Sequence, residues 1–271
     1  MEPPCRFGPW FSLLVCLYNK TVDLKGKVCL VTGGVRGIGA ATAIRLAKGG
    51  ADIAVQSRDA ASAAALEIKS TIEAAGRRCV SLRADMALPE DAARVVAETV
   101  EALGGIDILV HNAGAAAPGG LLTVSEEIWT QAFNVHVHAA FHLCRAAVPH
   151  MIPKKEGAIV LLGSTAGKRG VLGAAAYAIV KGALPQFARV LARELADHNI
   201  RVNCVSPGVI RTRFQDMLTE AQVKNNLENR IPLHREGTPD EVAQMIETVV
   251  TNNFITGEEF VLDGGLTMRM A

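Results

Sequence analysis

Thr32-Gly-Gly-Val-Arg-Gly-Ile-Gly39 joins a short apolar run, Lys27-Val-Cys-Leu-Val31, to a segment of helical periodicity that extends from Gly37 to Lys48. Glycine permits the positive φ of a sharp turn and lets a ligand approach the main chain closely. The start of a helix then offers unpaired N–H groups and a partial positive charge, both of which favour a phosphate. The sequence therefore predicts a strand, a phosphate-binding turn and a helix at the beginning of the fold.

The alternation of strand and helix continues along the chain. Apolar runs predict further strands at 52–56, 78–83, 106–110, 158–162, 200–205 and 259–262, and helical periodicity lies at 59–75, 89–103, 131–152 and 174–198. Strands that alternate with helices are joined by right-handed crossovers and form a parallel sheet. We therefore predict an α/β fold: a single Rossmann-type domain with a doubly wound parallel sheet of about seven strands and helices on both faces.

This single dinucleotide-binding and catalytic domain is predicted to occupy residues 23–271, after an N-terminal extension at 1–22. The apolar stretch at 9–18 is shorter than the roughly 20 residues that span a bilayer, and it lacks the flanks of a secretory signal. The polar segment near 208–237 follows the sixth strand, where ligands of such sheets bind. We expect that segment to form a substrate lid.

Opposite charges nearly cancel, with 28 Lys and Arg against 27 Asp and Glu, so the composition predicts neither a nucleic acid nor a membrane as partner. The six cysteines form no CxxC pair, which argues against a zinc site or a dithiol redox motif. His138 and His142 lack the glutamate of an HExxH motif, so no metal site is predicted. We expect reduced, mostly buried cysteines and a cytoplasmic protein.

The end of the second strand bears on the choice of cofactor. An acidic residue there would bind the adenosine ribose 2′-hydroxyl of NAD, but the sequence has Gln56-Ser57-Arg58. Arg58 and Arg36 carry planar guanidinium groups, which suit the 2′-phosphate of NADP. These residues predict a preference for NADP(H).

Tyr177 and Lys181 are four residues apart in a helical segment, so phenol and ammonium share one face. A free tyrosine has a pKa of about 10, and a nearby ammonium favours the phenolate. Ser164 ends the fifth strand and can hold a substrate oxygen. This combination indicates acid/base chemistry at an oxygen atom.

These motifs together resemble those of the short-chain dehydrogenase/reductase family. Residues 32–39 match its TGxxxGxG loop, and Asn112-Ala113-Gly114 matches its NAG motif. Asn134, Ser164, Tyr177 and Lys181 match its catalytic tetrad. The resemblance covers roughly Leu24 to Met268 and implies a Rossmann-type oxidoreductase.

The resemblance also implies roles for individual residues. Tyr177 is the acid/base, Ser164 binds the carbonyl oxygen, Lys181 binds the nicotinamide ribose and lowers the tyrosine pKa, and Asn134 positions a water of the proton relay. Asp85 is expected to meet the adenine amino group. The residues expected at the cofactor are Gly33, Arg36, Gly37, Ile38, Gly39, Ser57, Arg58, Asp85, Met86, Asn112, Ala113, Gly114, Tyr177, Lys181, Pro207, Gly208, Ile210 and Thr212.

The residues and the resemblance together predict an NADPH-dependent reductase or dehydrogenase that acts on a carbonyl or secondary alcohol. The stretch at 231–239 is similar to that of 3-oxoacyl-acyl-carrier-protein reductases, but sugars, polyols, steroids and quinones stay open as substrates. A catalytically silent NADP(H)-sensing protein is the alternative from another class. Apolar residues in the helices at 131–152 and 174–198 predict a homo-oligomer, a tetramer or a dimer.

Overall fold

The computed structural model describes residues 21–213, 216 and 218–268. These residues form a seven-stranded parallel sheet in the order β3-β2-β1-β4-β5-β6-β7. The strands β1 to β7 are Val28–Thr32, Asp52–Ser57, Cys79–Arg83, Ile108–His111, Gly157–Leu162, Ile200–Pro207 and Glu259–Leu262. The predicted α/β fold and its doubly wound sheet are confirmed.

Eight α-helices lie in the described part of the chain. Helices α1 to α8 are Gly37–Lys48, Ala63–Ala74, Pro89–Leu103, Glu126–Phe133, Ala139–Met151, Ala175–Leu195, Glu220–Asn225 and Pro239–Thr251. No helix among the described residues is long and apolar enough to cross a bilayer. The first twenty residues of the predicted N-terminal extension lie outside the described residues, as do three positions of the predicted lid.

Side chains of β1 alternate between two hydrophobic cores, one on each face of the sheet. Leu30 packs into the core that contains Val95 of α3 and Leu143 of α5. Its neighbour Val31 packs into the core that contains Leu46 of α1 and other side chains of α8. All five residues of β1 are buried, because helices cover both faces of a doubly wound sheet.

The helix predicted at 131–152 differs from the observed structure. The chain forms α4, then a π-helical turn at Asn134–His138, and then α5. In that turn the N–H of Ala139 donates to the carbonyl of Asn134, five residues earlier. Such a turn contains one residue more than an α-helical turn, and hydrophobic periodicity does not reveal it.

Arg201 on β6 is a buried charge that stabilises the end of α8. Its guanidinium donates to the carbonyl of Val249 at 2.7 Å and to that of Val250 at 2.5 Å. A longer bond of 3.4 Å reaches the carbonyl of Ile255. The last four carbonyls of a helix have no partner within the helix, so Arg201 supplies the donors that the end of α8 lacks.

We predict that Arg201→Met lowers the free energy of unfolding by about 3 kcal/mol, because it leaves buried carbonyls without a donor. Urea denaturation of the purified protein measures this loss. Arg193→Met, which removes an exposed arginine from α6, is the control. An equal loss in both variants would show that the bonds of Arg201 contribute nothing particular.

Candidate active site

The carboxyl ends of the parallel strands meet at one edge of the sheet, where the predicted site residues converge. The glycine loop follows β1, Asn112 follows β4, Ser164 follows β5, and Gly208 follows β6. After β3 the chain crosses back past β1 to form β4. Ligands of doubly wound sheets bind in the crevice at such a point.

The glycine loop has the backbone that its sequence predicts. Gly33 and Gly37 have φ angles of 62° and 52°, which residues other than glycine rarely adopt. A Cβ at Gly39 would overlap the carbonyl oxygen of Gly33, so close packing of α1 against the loop requires glycine there. The first turn of α1 contains no acidic residue, and its N-cap Arg36 makes no side-chain capping bond. The loop therefore suits a phosphate.

Two amides hold the glycine loop in place. Gln56 accepts from the N–H of Gly33 at 3.0 Å and donates to the carbonyl of Ala84 at 2.7 Å. Asn112 donates to the carbonyls of Thr32 and Gly33, each at 3.1 Å. Gln56 was not among the predicted site residues, although a glutamine that ends an apolar strand is a signal in the sequence.

A chain of hydrogen bonds links β1, β4 and the π turn. The hydroxyl of Thr32 accepts from the N–H groups of Asn112 at 3.1 Å and Ala113 at 3.0 Å. Its own proton can therefore go to Nδ1 of His111, 3.0 Å away. Nε2 of His111 then donates to the carbonyl of His136 at 3.2 Å. Burial lowers the pKa of His111 to about 4, so the ring is neutral at neutral pH.

His136 packs against Tyr177, the predicted acid/base, and was missed as a site residue. Its ring lies edge-on to that of Tyr177, with 5.9 Å between centroids, and its Nε2 is 3.0 Å from the carbonyl oxygen of Ala115. Burial lowers the pKa of His136 to about 2, so this ring is neutral too. Because the π turn is not visible in the sequence, the inward position of this histidine is not visible either.

Ser164 and Tyr177 bring two hydroxyls together. Ser164 accepts from the N–H of Ala166 at 3.1 Å, and its hydroxyl is hydrogen-bonded to Tyr177. Burial raises the pKa of Tyr177 above its ordinary value, and the bond from Ser164 only partly opposes this effect. The phenol is therefore protonated at neutral pH and can act as an acid.

Lys181 lies one helical turn after Tyr177 and is buried. Its Nζ donates to the carbonyl of Leu162 at 2.6 Å and lies 5.8 Å from the centroid of the Tyr177 ring. Burial lowers the pKa of Lys181 to about 8. Lys181 is not among the groups that shift the pKa of Tyr177 in the structure, so the lowering of the tyrosine pKa by this lysine stays a prediction.

Asn134 lies at the start of the π turn. Its side-chain oxygen lies 3.0 Å from Nδ1 of His138, and its carbonyl accepts from the N–H of Ala139. Asn134 does not line the cavity that contains Ser164 and Tyr177. Its role in a proton relay stays a prediction.

A cavity of about 1000 Å³ is lined by the glycine loop and by Ser164 and Tyr177. It brings together most of the predicted site residues: Gly33, Arg36, Gly37, Ile38, Asn112, Ala113, Gly114, Ser164, Tyr177, Lys181, Pro207, Gly208, Ile210 and Thr212. The predicted residues outside its lining are Gly39, Ser57, Arg58, Asp85, Met86 and Asn134.

The residues expected at the adenosine end of the cofactor differ in burial and in hydrogen bonding. Ser57 Oγ is buried and has no hydrogen-bond partner within the described residues, whereas Arg58 beside it is exposed. The carboxylate of Asp85 accepts from the N–H of Ala87 at 2.9 Å, and Met86 is buried in the core. At this end the exposed group is the guanidinium of Arg58.

The comparisons agree with this geometry. Residues 33–267 match the family model described as enoyl-(acyl carrier protein) reductase. Human dehydrogenase/reductase SDR family member 4 is 35% identical over 252 residues, which cover 91% of this chain and 90% of the relative. A 3-oxoacyl-acyl-carrier-protein reductase of Thermotoga maritima is 34% identical and covers 90% of this chain and 99% of its own.

The chain belongs to the short-chain dehydrogenase/reductase family. Solved structures agree with this assignment. A short-chain dehydrogenase from Burkholderia cenocepacia, in complex with NADP, is 36% identical with a TM-score of 0.83, over 90% of this chain and 99% of that one. A blue fluorescent protein from a metagenomic library, in complex with NADPH, is 35% identical with the same TM-score, and the coverage is also 90% and 99%.

We predict that Gly114→Ala lowers the free energy of unfolding by about 1 to 3 kcal/mol, the usual cost of overpacking. The added methyl group would overlap Cε1 of His136 and lie 3.0 Å from its Nδ1. Thermal and urea unfolding measure the loss. Gly120→Ala is the control, since its nearest new contact is an ordinary 3.9 Å.

The cause of this loss can be isolated with His136→Ala. In that background, Gly114→Ala should cost much less, because the ring that it would strike is gone. An undiminished loss would show that the methyl group disturbs something other than His136.

Proposed function

We propose that this protein is an NADPH-dependent carbonyl reductase, which also oxidises secondary alcohols in the reverse direction. The observation that carries the proposal is the hydrogen-bonded pair Ser164 and Tyr177, which faces the same cavity as the glycine loop. The buried Lys181 lies one helical turn away. Phosphate-binding and proton-donating groups thus share one cavity.

Each of these side chains has a defined task in the proposed reaction. When bound, the nicotinamide supplies or accepts the hydride. Tyr177 donates its proton to the carbonyl oxygen during reduction, which requires the protonated phenol that burial favours. Ser164 donates a hydrogen bond to the same oxygen and stabilises the charge that develops there. Lys181 holds the nicotinamide ribose through its ammonium group.

The preference for NADPH rests on the ends of β1 and β2. Arg36 and Arg58 are exposed there, and Ser57 leaves the position free of a carboxylate. Two similar structures hold NADP or NADPH, which supports the same choice. We also propose that the predicted cofactor-binding residues that do not line the cavity, among them Asp85 and Met86, contact the cofactor.

The substrate is a small carbonyl or alcohol compound. A 3-oxoacyl thioester is favoured by the similarity to the Thermotoga maritima reductase, and sugars, polyols, steroids and quinones are the alternatives. We further propose a cytoplasmic homotetramer or homodimer that binds neither nucleic acid nor membrane, with a lid near 208–237.

Tyr177→Phe is expected to lower kcat at least about 100-fold, the scale of general acid catalysis, and to leave the dissociation constant of NADPH unchanged. Turnover is followed by NADPH absorbance with acyl thioesters, ketones, quinones and sugars. Binding is followed by NADPH fluorescence. Near-normal turnover in the variant would overturn the role of Tyr177.

An assay of the unmodified protein distinguishes the proposed reductase from the alternative, a catalytically silent NADP(H)-sensing protein. Tight binding of NADPH with no turnover of any compound in this panel is the result expected of a cofactor-sensing protein. Turnover of a single carbonyl compound excludes that alternative.

Arg36→Ala combined with Arg58→Ala is expected to raise the Michaelis constant for NADPH about 100-fold or more and to leave that for NADH nearly unchanged. Each charged hydrogen bond to the 2′-phosphate contributes about 1.5 to 3 kcal/mol, or roughly ten- to hundredfold in affinity. Initial rates with both cofactors test this, with the exposed Arg193→Ala on α6 as control. Equal efficiency with NADH and NADPH in the unmodified protein would contradict the preference.

A further inference from the structure

The cavity has a second end at the carboxyl end of β7, where Leu266 and Thr267, which line it, follow that strand. Arg169 and Arg230 line the same cavity. The glycine loop follows β1, whereas this second end lies beside the carboxyl end of β7. Four strand spacings of about 4.8 Å, or about 19 Å, separate those two strands in the sheet.

Contacts with β7 fix the position of Arg169. The preceding residue, Lys168, forms an ion pair with Glu259 at 2.9 Å. Asp263, which directly follows β7, has a lowered pKa: hydrogen bonds from Thr267 and Gly265 and the charge of Arg169 outweigh the effect of burial. The charge of Arg169 therefore acts on the turn that follows β7.

Arg230 is tied to the same turn through the residues that follow it. The N–H of Leu233 donates to the carbonyl of Gly264 at 3.1 Å. One guanidinium N–H of Arg230 donates to the side-chain oxygen of the buried Asn226 at 2.7 Å, within the π turn that follows α7. This bond holds the guanidinium in place, and Arg230 lines the cavity.

The charge at this end is positive. Two carboxylates are near it: Glu259 pairs with Lys168 at 2.9 Å, and the oxygens of Asp263 accept from the N–H groups of Gly265 and Thr267 and from the Thr267 hydroxyl. Among the described residues that line the cavity, Glu67 is the one with a carboxylate, and it lies on α2, away from β7. Arg169 follows β5 and Arg230 precedes the residues that pack on the turn after β7, whereas Arg36 follows β1.

We propose that Arg169 and Arg230 bind an anionic group of the substrate, so that the enzyme prefers carbonyl compounds with a negatively charged tail. The inference rests on the proposed carbonyl reductase function and names the substrate class for it. A carboxylate on a small oxo acid and a phosphate on the carrier of an acyl thioester share this chemistry. Guanidinium groups bind both through paired hydrogen bonds.

Two matched pairs of substrates distinguish these sources. The carboxylate pair is 5-oxohexanoate and its neutral ethyl ester, and the phosphate pair is acetoacetyl-coenzyme A and the neutral acetoacetyl thioester of N-acetylcysteamine. In at least one pair we expect the anion to have a kcat/KM about tenfold or more above that of its neutral partner. The pair that shows the difference identifies the anion.

Arg169→Gln and Arg230→Gln test whether the two arginines cause this preference. Each variant should lower kcat/KM for the preferred anion about tenfold, mainly through KM, and change that for the neutral partner less than about twofold. The Michaelis constant for NADPH should stay the same. Lys48→Gln, which removes an exposed charge at the end of α1, is the matched control and should change nothing.

The results separate the two proposals. Equal kcat/KM for anion and neutral partner in both pairs, or equal losses for both in the variants, would overturn the anionic tail and leave the carbonyl reductase intact. If the two variants raise only the Michaelis constant for NADPH, the arginines serve the cofactor, and this result would overturn the inference. Turnover of a quinone, a sugar or another ketone but of none of these four compounds would overturn the inference alone. No turnover of any compound in either set would overturn the proposed function and the inference with it.

Discussion

The site depends on how the ends of β1 and β4 are held together. The chain leaves β1 for β2 and β3 on one side and returns to form β4 on the other, so the loops after β1 and β4 diverge and leave a crevice between them. Thr32 joins these two ends through one hydroxyl, and Asn112 joins them through one amide. Gly33, Asn112 and Ala113, which face the cavity, are positioned by this junction.

Burial at this edge sets the protonation of each group. The interior disfavours charge, so it keeps the phenol of Tyr177 and the rings of His111 and His136 neutral. Lys181 retains its proton near neutral pH because its pKa falls only to about 8. A neutral acid beside a cation is the arrangement that reduction of a carbonyl needs, since the proton has to leave the tyrosine as negative charge appears on the substrate oxygen.

Much of this arrangement could be predicted from the sequence. The predictable part consists of motifs that lie within one element. The glycine loop and the pair Tyr177 and Lys181 are visible because their function requires fixed residue types at fixed spacing within one element. His136 and Gln56 act through contacts between distant elements, which spacing along the chain does not encode. The π turn beside Asn134 was missed because helical periodicity tolerates one extra residue.

That extra residue is absorbed where it stands. An α-helix turns about 100° per residue, so one residue added to a regular helix would rotate everything after it by more than a quarter of a circle. The π turn, in which the N–H of Ala139 bonds to the fifth residue before it, holds the additional residue within one wider turn. On its two sides α4 contacts α6 and α5 contacts α3. His136 lies in the middle of this wider turn, so the segment that accommodates the additional residue is also the segment that places an imidazole beside the ring of Tyr177.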